Sequence, residues 1–230
     1  MEDDTNPLDS TRKEKLSEAT AIALNLIPVV GGTLAAIAMG FISRRQNRRL
    51  QEFLDLLAED LKTLSERLDI EFVKSDEFED LVEDILSKAS ETRQHEKLEA
   101  LRAIFLNTII GDNPNYDEGF EMAELITRWQ LRHITILRIL NDPLEADRQM
   151  GDVVGFGGGF STSIGQILGK LLPRWDEDQI DRTWKELNDA RIHNTPSTKT
   201  MITDQGIYQL QNRLTDFGQK VANYLQNPAR

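Results

Sequence analysis

The stretch Leu50–Leu68, LQEFLDLLAEDLKTLSERL, decides the fold because its leucines recur at helical spacing. Steps of four and three residues alternate along a leucine seam that consists of Leu50, Leu54, Leu57, Leu61, Leu64 and Leu68. This heptad pattern places one apolar stripe along a helix, where we expect it to pack against another helix. Neither glycine nor proline interrupts the chain between Phe41 and Ile70, so we predict one unbroken helix there.

Two packing arrangements fit the leucine seam. Phe53 and Leu56 widen its apolar face, which is typical of a helix packed inside a bundle. We therefore favour an intramolecular helical bundle over residues 16–145. The alternative is an oligomer, in which the seam joins two copies of the chain as a coiled coil.

Upstream of the seam, residues 19–43 contain no charged side chain. A continuous helix of that length would be long enough to cross roughly 30 Å of hydrocarbon. Pro28 and the pair Gly31-Gly32 instead favour two short apolar helices, 19–27 and 33–43, joined by a tight turn. We call residues 19–43 the apolar hairpin.

The second helix of the apolar hairpin has a stripe of small residues, and arginines follow it. Small residues every four positions let another helix approach closely, here Gly32, Ala36 and Gly40. Arginines directly after an apolar segment favour anionic lipid head groups on the cytoplasmic side. The side chains predicted to contact a membrane are Leu26, Ile27, Leu34, Ile37, Phe41, Arg44, Arg45, Arg48 and Arg49. The alternative is a soluble adaptor whose apolar hairpin is buried as core.

Composition excludes several kinds of site. The 230 residues include no cysteine, which rules out disulfides and thiolate metal ligands. The three histidines, His95, His133 and His193, are far apart in sequence, so we expect no metal site and no cofactor. We recognise no secretion signal and expect a cytoplasmic protein, either free or peripheral to the inner face of the membrane.

The net charge of −12 is unevenly placed. Residues 1–121 carry the whole acidic excess, whereas residues 122–230 have equal numbers of acidic and basic side chains. The acidic start, residues 1–15, is expected to be flexible. A chain with this charge balance is a poor partner for polyanions such as duplex DNA.

More helices are predicted beyond the seam. Asp76 and Glu79 have the spacing of a capping box at the start of one helix. A longer helix over about 118–140 would turn Trp129 inward and end before Pro143. The glycine-rich residues 146–162 predict a linker, since they lack the Gly-Lys-Ser/Thr ending of a phosphate-binding loop.

The order of elements after the linker resembles a winged-helix module over residues 163–230. Two helices, 163–172 and 176–192, precede segments 200–203 and 207–210, which we predict to pair as a β-hairpin, and Thr215 caps a last helix. The candidate recognition helix opens with carboxylates that would oppose DNA phosphates: Asp176, Glu177, Asp178 and Asp181. A protein partner is therefore preferred to DNA.

Two segments of the C-terminal half carry short motifs. In Leu125–Pro143 (LITRWQLRHITILRILNDP), a tryptophan-containing helix ends in Asp-Pro, and Leu214–Leu225 (LTDFGQKVANYL) contains Thr-x-x-Gly. Together they resemble bacterial proteins of the abortive-infection-alpha type, in which such a helix precedes a winged-helix-like tail. Gln130 departs from the histidine more usual there. The resemblance implies bacterial origin and a link to phage defence, without an assigned chemistry.

We recognise no catalytic motif: there is no cysteine nucleophile, no G-x-S-x-G elbow and no H-E-x-x-H pattern. Glu83 and Asp84 near His95 lack the paired Glu-x-x-His motif of bundle metal sites. We therefore predict a non-enzymatic, membrane-associating effector or regulator. The alternatives are a soluble helical adaptor and a winged-helix DNA-binding regulator.

Overall fold

The computed structural model describes residues 37, 48–110, 115–154, 162–202 and 207–229, except for the side chain of Tyr208. This part of the chain is mainly helical and contains one small antiparallel sheet of two strands. The predicted mainly α class is confirmed. The predicted flexible start at residues 1–15 lies outside the described residues, as does the apolar hairpin apart from Ile37.

Contacts divide the chain into two compact units. The N-terminal unit extends to Thr127 and takes in the chain again from Tyr224, whereas the C-terminal unit is Arg128–Asn223. The linker predicted at 146–162 falls within the C-terminal unit, and its residues 155–161 lie outside the described part.

The N-terminal unit is built from helices. They are α1 (Arg48–Thr63), a 3-10 turn (Ser65–Arg67), α2 (Ile70–Val73), α3 (Asp76–Glu91), α4 (His95–Ile109) and α5 (Tyr116–Arg128). Helix α3 is capped by Ser75, whose hydroxyl accepts a hydrogen bond from the backbone N–H of Phe78 at 3.3 Å. The predicted cap at Asp76 was therefore one residue too late.

The leucine seam forms the core of the N-terminal unit. Helix α1 packs against α3 and α4 of the same chain, and five seam leucines are at most 2% exposed: Leu50, Leu54, Leu57, Leu61 and Leu64. Buried aromatic rings extend this core, with the centroids of Phe78 and Phe105 6.0 Å apart. The seam is thus covered by helices of its own chain.

The predicted unbroken helix across the seam was wrong at its C-terminal end. Helix α1 ends at Thr63, and Leu68 is half-buried where it forms an isolated antiparallel bridge with Ile110. The side chain of Asp69 accepts a hydrogen bond from the N–H of Phe72 at 2.9 Å and so caps α2. A capping side chain offers the backbone an alternative to continuing the preceding helix.

The C-terminal unit consists of short helices and the small sheet. Its elements are α6 (Leu131–Asn141), α7 (Pro143–Gln149), β1 (Thr162–Ser163), α8 (Ile164–Leu171), α9 (Glu177–Asp189), β2 (Met201–Ile202), α10 (Tyr208–Gln211) and α11 (Asp216–Tyr224). Asp176 caps α9 as predicted, since its carboxylate accepts from the N–H of Gln179 at 2.7 Å. The last residue of α11, Tyr224, belongs to the N-terminal unit.

The predicted β-hairpin was wrong in its second strand. Strand β2 pairs instead with β1, with Thr162 opposite Ile202 and Ser163 opposite Met201. Residues 208–211 form helix α10. Ile207 and Leu210 are both buried at a three-residue spacing, which suits one face of a helical turn.

The predicted helix over 118–140 is two helices, because the chain breaks at Trp129 and Gln130. Gln130 is the N-cap of α6, and its own N–H donates to Nδ1 of His133 at 3.0 Å. This reciprocal arrangement is a capping box that starts a new helix.

Leu56 and Leu57 offer a matched test of the seam, because adjacent residues on α1 differ in exposure, 38% against 1%. Leu57→Asp buries a carboxylate without a partner, at a cost of several kcal/mol. We expect it to lower the melting temperature strongly or to unfold the chain. Leu56→Asp, with the same change in charge and helix propensity, should melt close to the unaltered chain. Equal melting curves for the two variants, measured by circular dichroism, would contradict the buried seam.

Candidate functional site

Three of the predicted membrane-contact residues are described: Ile37, Arg48 and Arg49. Ile37 is helical and half-buried, whereas both arginines are exposed at the described start of α1. The side chain of Arg48 is 87% exposed, and its Nε donates to Glu52 Oε1 at 2.9 Å. The other predicted contacts lie outside the described residues: Leu26, Ile27, Leu34, Phe41, Arg44 and Arg45, and so do the small residues Gly32, Ala36 and Gly40. Within the described ranges, no helix has both the length and the apolar character needed to cross a membrane.

A polar cluster in the C-terminal unit joins α6 to α9, and we call Arg132, His133 and Glu186 the α6–α9 cluster. Nε2 of His133 lies 2.7 Å from Glu186 Oε2. One guanidinium nitrogen of Arg132 donates to both carboxylate oxygens, at 2.8 and 3.1 Å. His133 is buried, and its ring stacks on Trp129 with centroids 5.7 Å apart.

Three polar contacts of the His133 ring bear on its tautomer: Nδ1 lies 3.0 Å from the Gln130 nitrogen and 3.2 Å from the Gln130 carbonyl oxygen, and Nε2 lies 2.7 Å from Glu186 Oε2. Nδ1 accepts from the backbone N–H of Gln130, so the ring proton of the neutral imidazole is on Nε2 and is donated to Glu186. Burial alone would raise the pKa of the Glu186 carboxyl, but hydrogen bonds from Arg132 and His133 outweigh it and hold that pKa below its usual value. Glu186 therefore remains a charged acceptor near neutral pH.

The α6–α9 cluster resembles the histidine–carboxylate half of a catalytic triad, in which the carboxylate orients the ring and the other nitrogen takes a proton. In His133 that other nitrogen already accepts from Gln130, within the capping box of α6. Proton transfer to it would break the hydrogen bond that starts the helix. The geometry is suited to holding α6 against α9.

A second buried histidine, His193, follows the end of α9. The ring of His193 stacks on Trp184 with centroids 3.9 Å apart, and its Nε2 donates to the Trp184 carbonyl oxygen at 3.0 Å. The indole N–H of Trp184 donates to the carbonyl of Thr195 at 2.7 Å. Burial lowers the pKa of His193 to about 4, against a smaller raising effect of the bond to Trp184. His193 is therefore neutral at pH 7 and braces the loop after α9.

The Thr-x-x-Gly motif has a physical explanation in this unit. The Thr215 hydroxyl donates to the carbonyl oxygen of Arg191 at 2.5 Å and accepts from the N–H of Gly218 at 2.9 Å. A Cβ on Gly218 would collide with the carbonyl oxygen of Ile192. Only glycine lets α11 approach that carbonyl so closely, which makes both motif residues structural.

In the N-terminal unit, a half-buried lysine joins α3 to α5. Nζ of Lys88 bonds Asp84 and lies 2.7 Å from Glu124 Oε1, and 5.0 Å from the centre of the Phe120 ring. Burial alone would lower the pKa of Lys88, but the two carboxylates raise it above its usual value. Asp84 is thus committed to an ion pair. Across the described residues, no three side chains of His, Asp or Glu come together as metal ligands.

Comparison with protein-family models, with curated proteins and with solved structures found no match to this chain.

Sequence reasoning missed the α6–α9 cluster because its partners are 53 and 54 residues apart. No local pattern connects Arg132 or His133 with Glu186. The pair Asp84 and Lys88, in contrast, has the four-residue spacing of a helical ion pair and was recognisable.

Because burial lowers the pKa of His193, we predict that the protein loses stability in acid. The pKa of His193 is about 4 when folded and near 6.5 when unfolded, so the unfolded chain binds more protons between these values. The free energy of unfolding should fall as the pH drops through this window, by about 2 kcal/mol between pH 7.5 and pH 5 from this group alone.

Urea denaturation at the two pH values measures this loss. His193→Gln should reduce the difference between them by about 2 kcal/mol. His95→Gln, which changes a largely exposed imidazole, should leave it unaltered. An equal pH dependence in the His193→Gln variant and the unaltered chain would show that His193 is not the responsible group.

Proposed function

We propose that this protein is a non-enzymatic, membrane-associating effector or regulator. Residues 19–49 would contact an anionic lipid surface, while the two compact units remain in water. The observation that carries the proposal is the uncharged segment 19–43 followed at once by Arg44, Arg45, Arg48 and Arg49. The last two of these arginines are exposed where the described part of α1 begins.

The burial of the leucine seam supports this division of roles. Leu50 and Leu54 are fully buried against helices of the same unit, so they are not available to lipid. Lipid contact would therefore be confined to residues before Leu50. Arginines at such a boundary suit the charged head-group layer, with the apolar hairpin inserted beside it.

The geometry of His133 supports a role without catalysis. Both of its ring nitrogens already have partners, Gln130 and Glu186, which leaves neither nitrogen in position to accept a proton from a substrate. The resemblance of 125–143 and 214–225 to abortive-infection-alpha proteins supports a bacterial cell and a task in phage defence or stress. A location at the inner face of the membrane follows from the same proposal.

Residues 163–230 are proposed to form a winged-helix-like module that binds protein. The order β1, α8, α9, β2, with the two strands paired, supports this resemblance. The exposed start of α9 carries Glu177 and Asp178, which would face DNA phosphates in a recognition helix. Nearby Lys185 already pairs with Asp189 at 2.6 Å.

Vesicle flotation tests the membrane proposal. Full-length protein should float with vesicles that contain phosphatidylserine and much less with phosphatidylcholine alone, because the arginines gain about 1 kcal/mol each near an anionic surface. Replacing Arg44, Arg45, Arg48 and Arg49 with glutamine should abolish most of the difference. Protein that stays with the soluble fraction on both kinds of vesicle would favour the soluble adaptor, with its apolar hairpin buried.

A matched variant controls for total charge. Replacing four exposed basic residues of the C-terminal unit with glutamine removes the same charge far along the chain: Arg174, Arg182, Lys185 and Lys199. We expect this variant to float like the unaltered protein. Equal loss of flotation in both variants would mean that net charge, and not the position of the arginines, controls binding.

We further predict that the chain does not bind duplex DNA. Fluorescence anisotropy of a labelled random duplex should not change with full-length protein at low salt, because the carboxylates at the start of α9 oppose phosphate neutralisation. Glu177→Lys with Asp178→Lys should create weak, salt-sensitive binding if α9 is placed as a recognition helix. Micromolar binding by the unaltered chain that weakens with salt would instead support the DNA-binding alternative.

A further inference from the structure

The chain beyond α11 is held on the N-terminal unit although it is not helical. Residues 225–229 follow the last helix, and all of them except Gln226 are partly buried. A segment without helix or strand keeps one position only where specific contacts fix it. Here the contacts come from α1, the 3-10 turn, α4 and α5, all within the same unit. We call residues 224–229 the tail.

Side chains of the unit recognise the backbone of the tail. The amide Nδ2 of Asn107 donates to the carbonyl oxygens of Tyr224, at 3.2 Å, and Gln226, at 2.8 Å. The guanidinium of Arg67 donates to the carbonyl oxygen of Pro228 at 3.3 Å. These bonds are independent of the side chains of the tail and would hold any segment whose backbone follows the same turns.

Two further hydrogen bonds involve side chains of the tail. Nδ2 of Asn227 donates to Asp60 Oδ2 at 2.7 Å, and the buried Arg102 holds the same carboxylate oxygen, with Nε at 3.0 Å. The hydroxyl of Tyr224 donates to Glu118 Oε2 at 3.4 Å. Burial, followed by the nearby Glu118 charge, raises the pKa of Tyr224 to about 12, so the phenol keeps the proton that it donates.

Backbone bonds that tolerate many sequences, together with a few side-chain contacts that select one, are the usual design of a peptide-recognition surface. We propose that Asp60, Arg67, Asn107 and Glu118 form such a surface, the tail site, and that the tail is its resident ligand. A partner segment that presents an exposed tyrosine followed by an Asn-Pro pair, and that can adopt the turns of the tail, displaces it. This inference is independent of membrane binding.

Tethering explains why the tail occupies its site in the isolated chain. A ligand on the same chain has an effective concentration in the millimolar range, so a free segment must approach that concentration to compete. Displacement would release the Tyr224 hydroxyl from Glu118.

The absence of cysteine permits a direct test in the full chain. Arg230→Cys supplies a single position for a fluorophore next to the tail. An unlabelled peptide with the sequence of residues 224–229, YLQNPA, should lower the anisotropy of the label with a midpoint in the millimolar range. A peptide with alanine in place of its asparagine should need at least a tenfold higher concentration, since it lacks the bond to Asp60.

A pair of variants tests the site itself. Asn107→Asp replaces the amide donor with a carboxylate that repels the carbonyl oxygens of the tail, and should lower the anisotropy without added peptide. Asn212→Asp adds the same charge at an exposed position and should not. Circular dichroism shows whether each variant is folded.

The peptide titration on the labelled, otherwise unaltered chain decides the outcome. The proposal is wrong if YLQNPA and its alanine variant lower the anisotropy equally. It is also wrong if neither peptide changes the anisotropy up to about 20 mM, which is well above the expected effective concentration. In either case the tail is a fixed structural segment. A fall in anisotropy with loss of helical circular dichroism would mean that the peptide unfolds the chain, which also contradicts displacement.

Discussion

The burial of the leucine seam within the N-terminal unit is the constraint on which the other features depend. Five leucines of the seam are at most 2% exposed, and each contributes roughly 2 kcal/mol of apolar burial. That burial fixes the face of α1 that points inward, and with it the exposed positions of Arg48 and Arg49. Because the leucine seam of α1 is already covered by other helices, it is not available to lipid. In our proposal, membrane contact is therefore made by the residues before Leu50.

Ion pairs and hydrogen bonds between distant residues constrain the geometry of both units. Arg102, 3% exposed, pairs with Asp60, which in turn accepts from Asn227 of the tail. In the C-terminal unit, Glu186 accepts from Arg132 and His133 together. Removing one partner of a buried pair such as Arg102 and Asp60 leaves an uncompensated charge, commonly at a cost of 3–5 kcal/mol, so this contact specifies how its helices are arranged. The same contacts occupy Asp60, His133 and Glu186, side chains that would otherwise be candidates for catalytic roles.

Much of the fold was predictable because its signals are local. The spacing of the seam indicated the buried face of α1, and Asp176 indicated the start of α9, since a capping carboxylate acts within one helical turn. Errors arose where two local preferences compete. Asp69 ends the predicted long helix by capping the next one, and Ile207 with Leu210 fits a helical turn as well as a strand. The α6–α9 cluster and the tail site join residues more than fifty positions apart, which no periodicity reveals.

The central claim is that lipid contact is confined to the residues before the seam. Hydrogen exchange of the full chain, measured by mass spectrometry with and without phosphatidylserine vesicles, tests it most directly. We predict that vesicles slow exchange in peptides from residues 19–49 and leave α1 from Leu50 to Leu61 unchanged, because the amides of α1 are already protected by packing. Unchanged exchange over 19–49, or faster exchange in α1 on adding vesicles, would contradict the account.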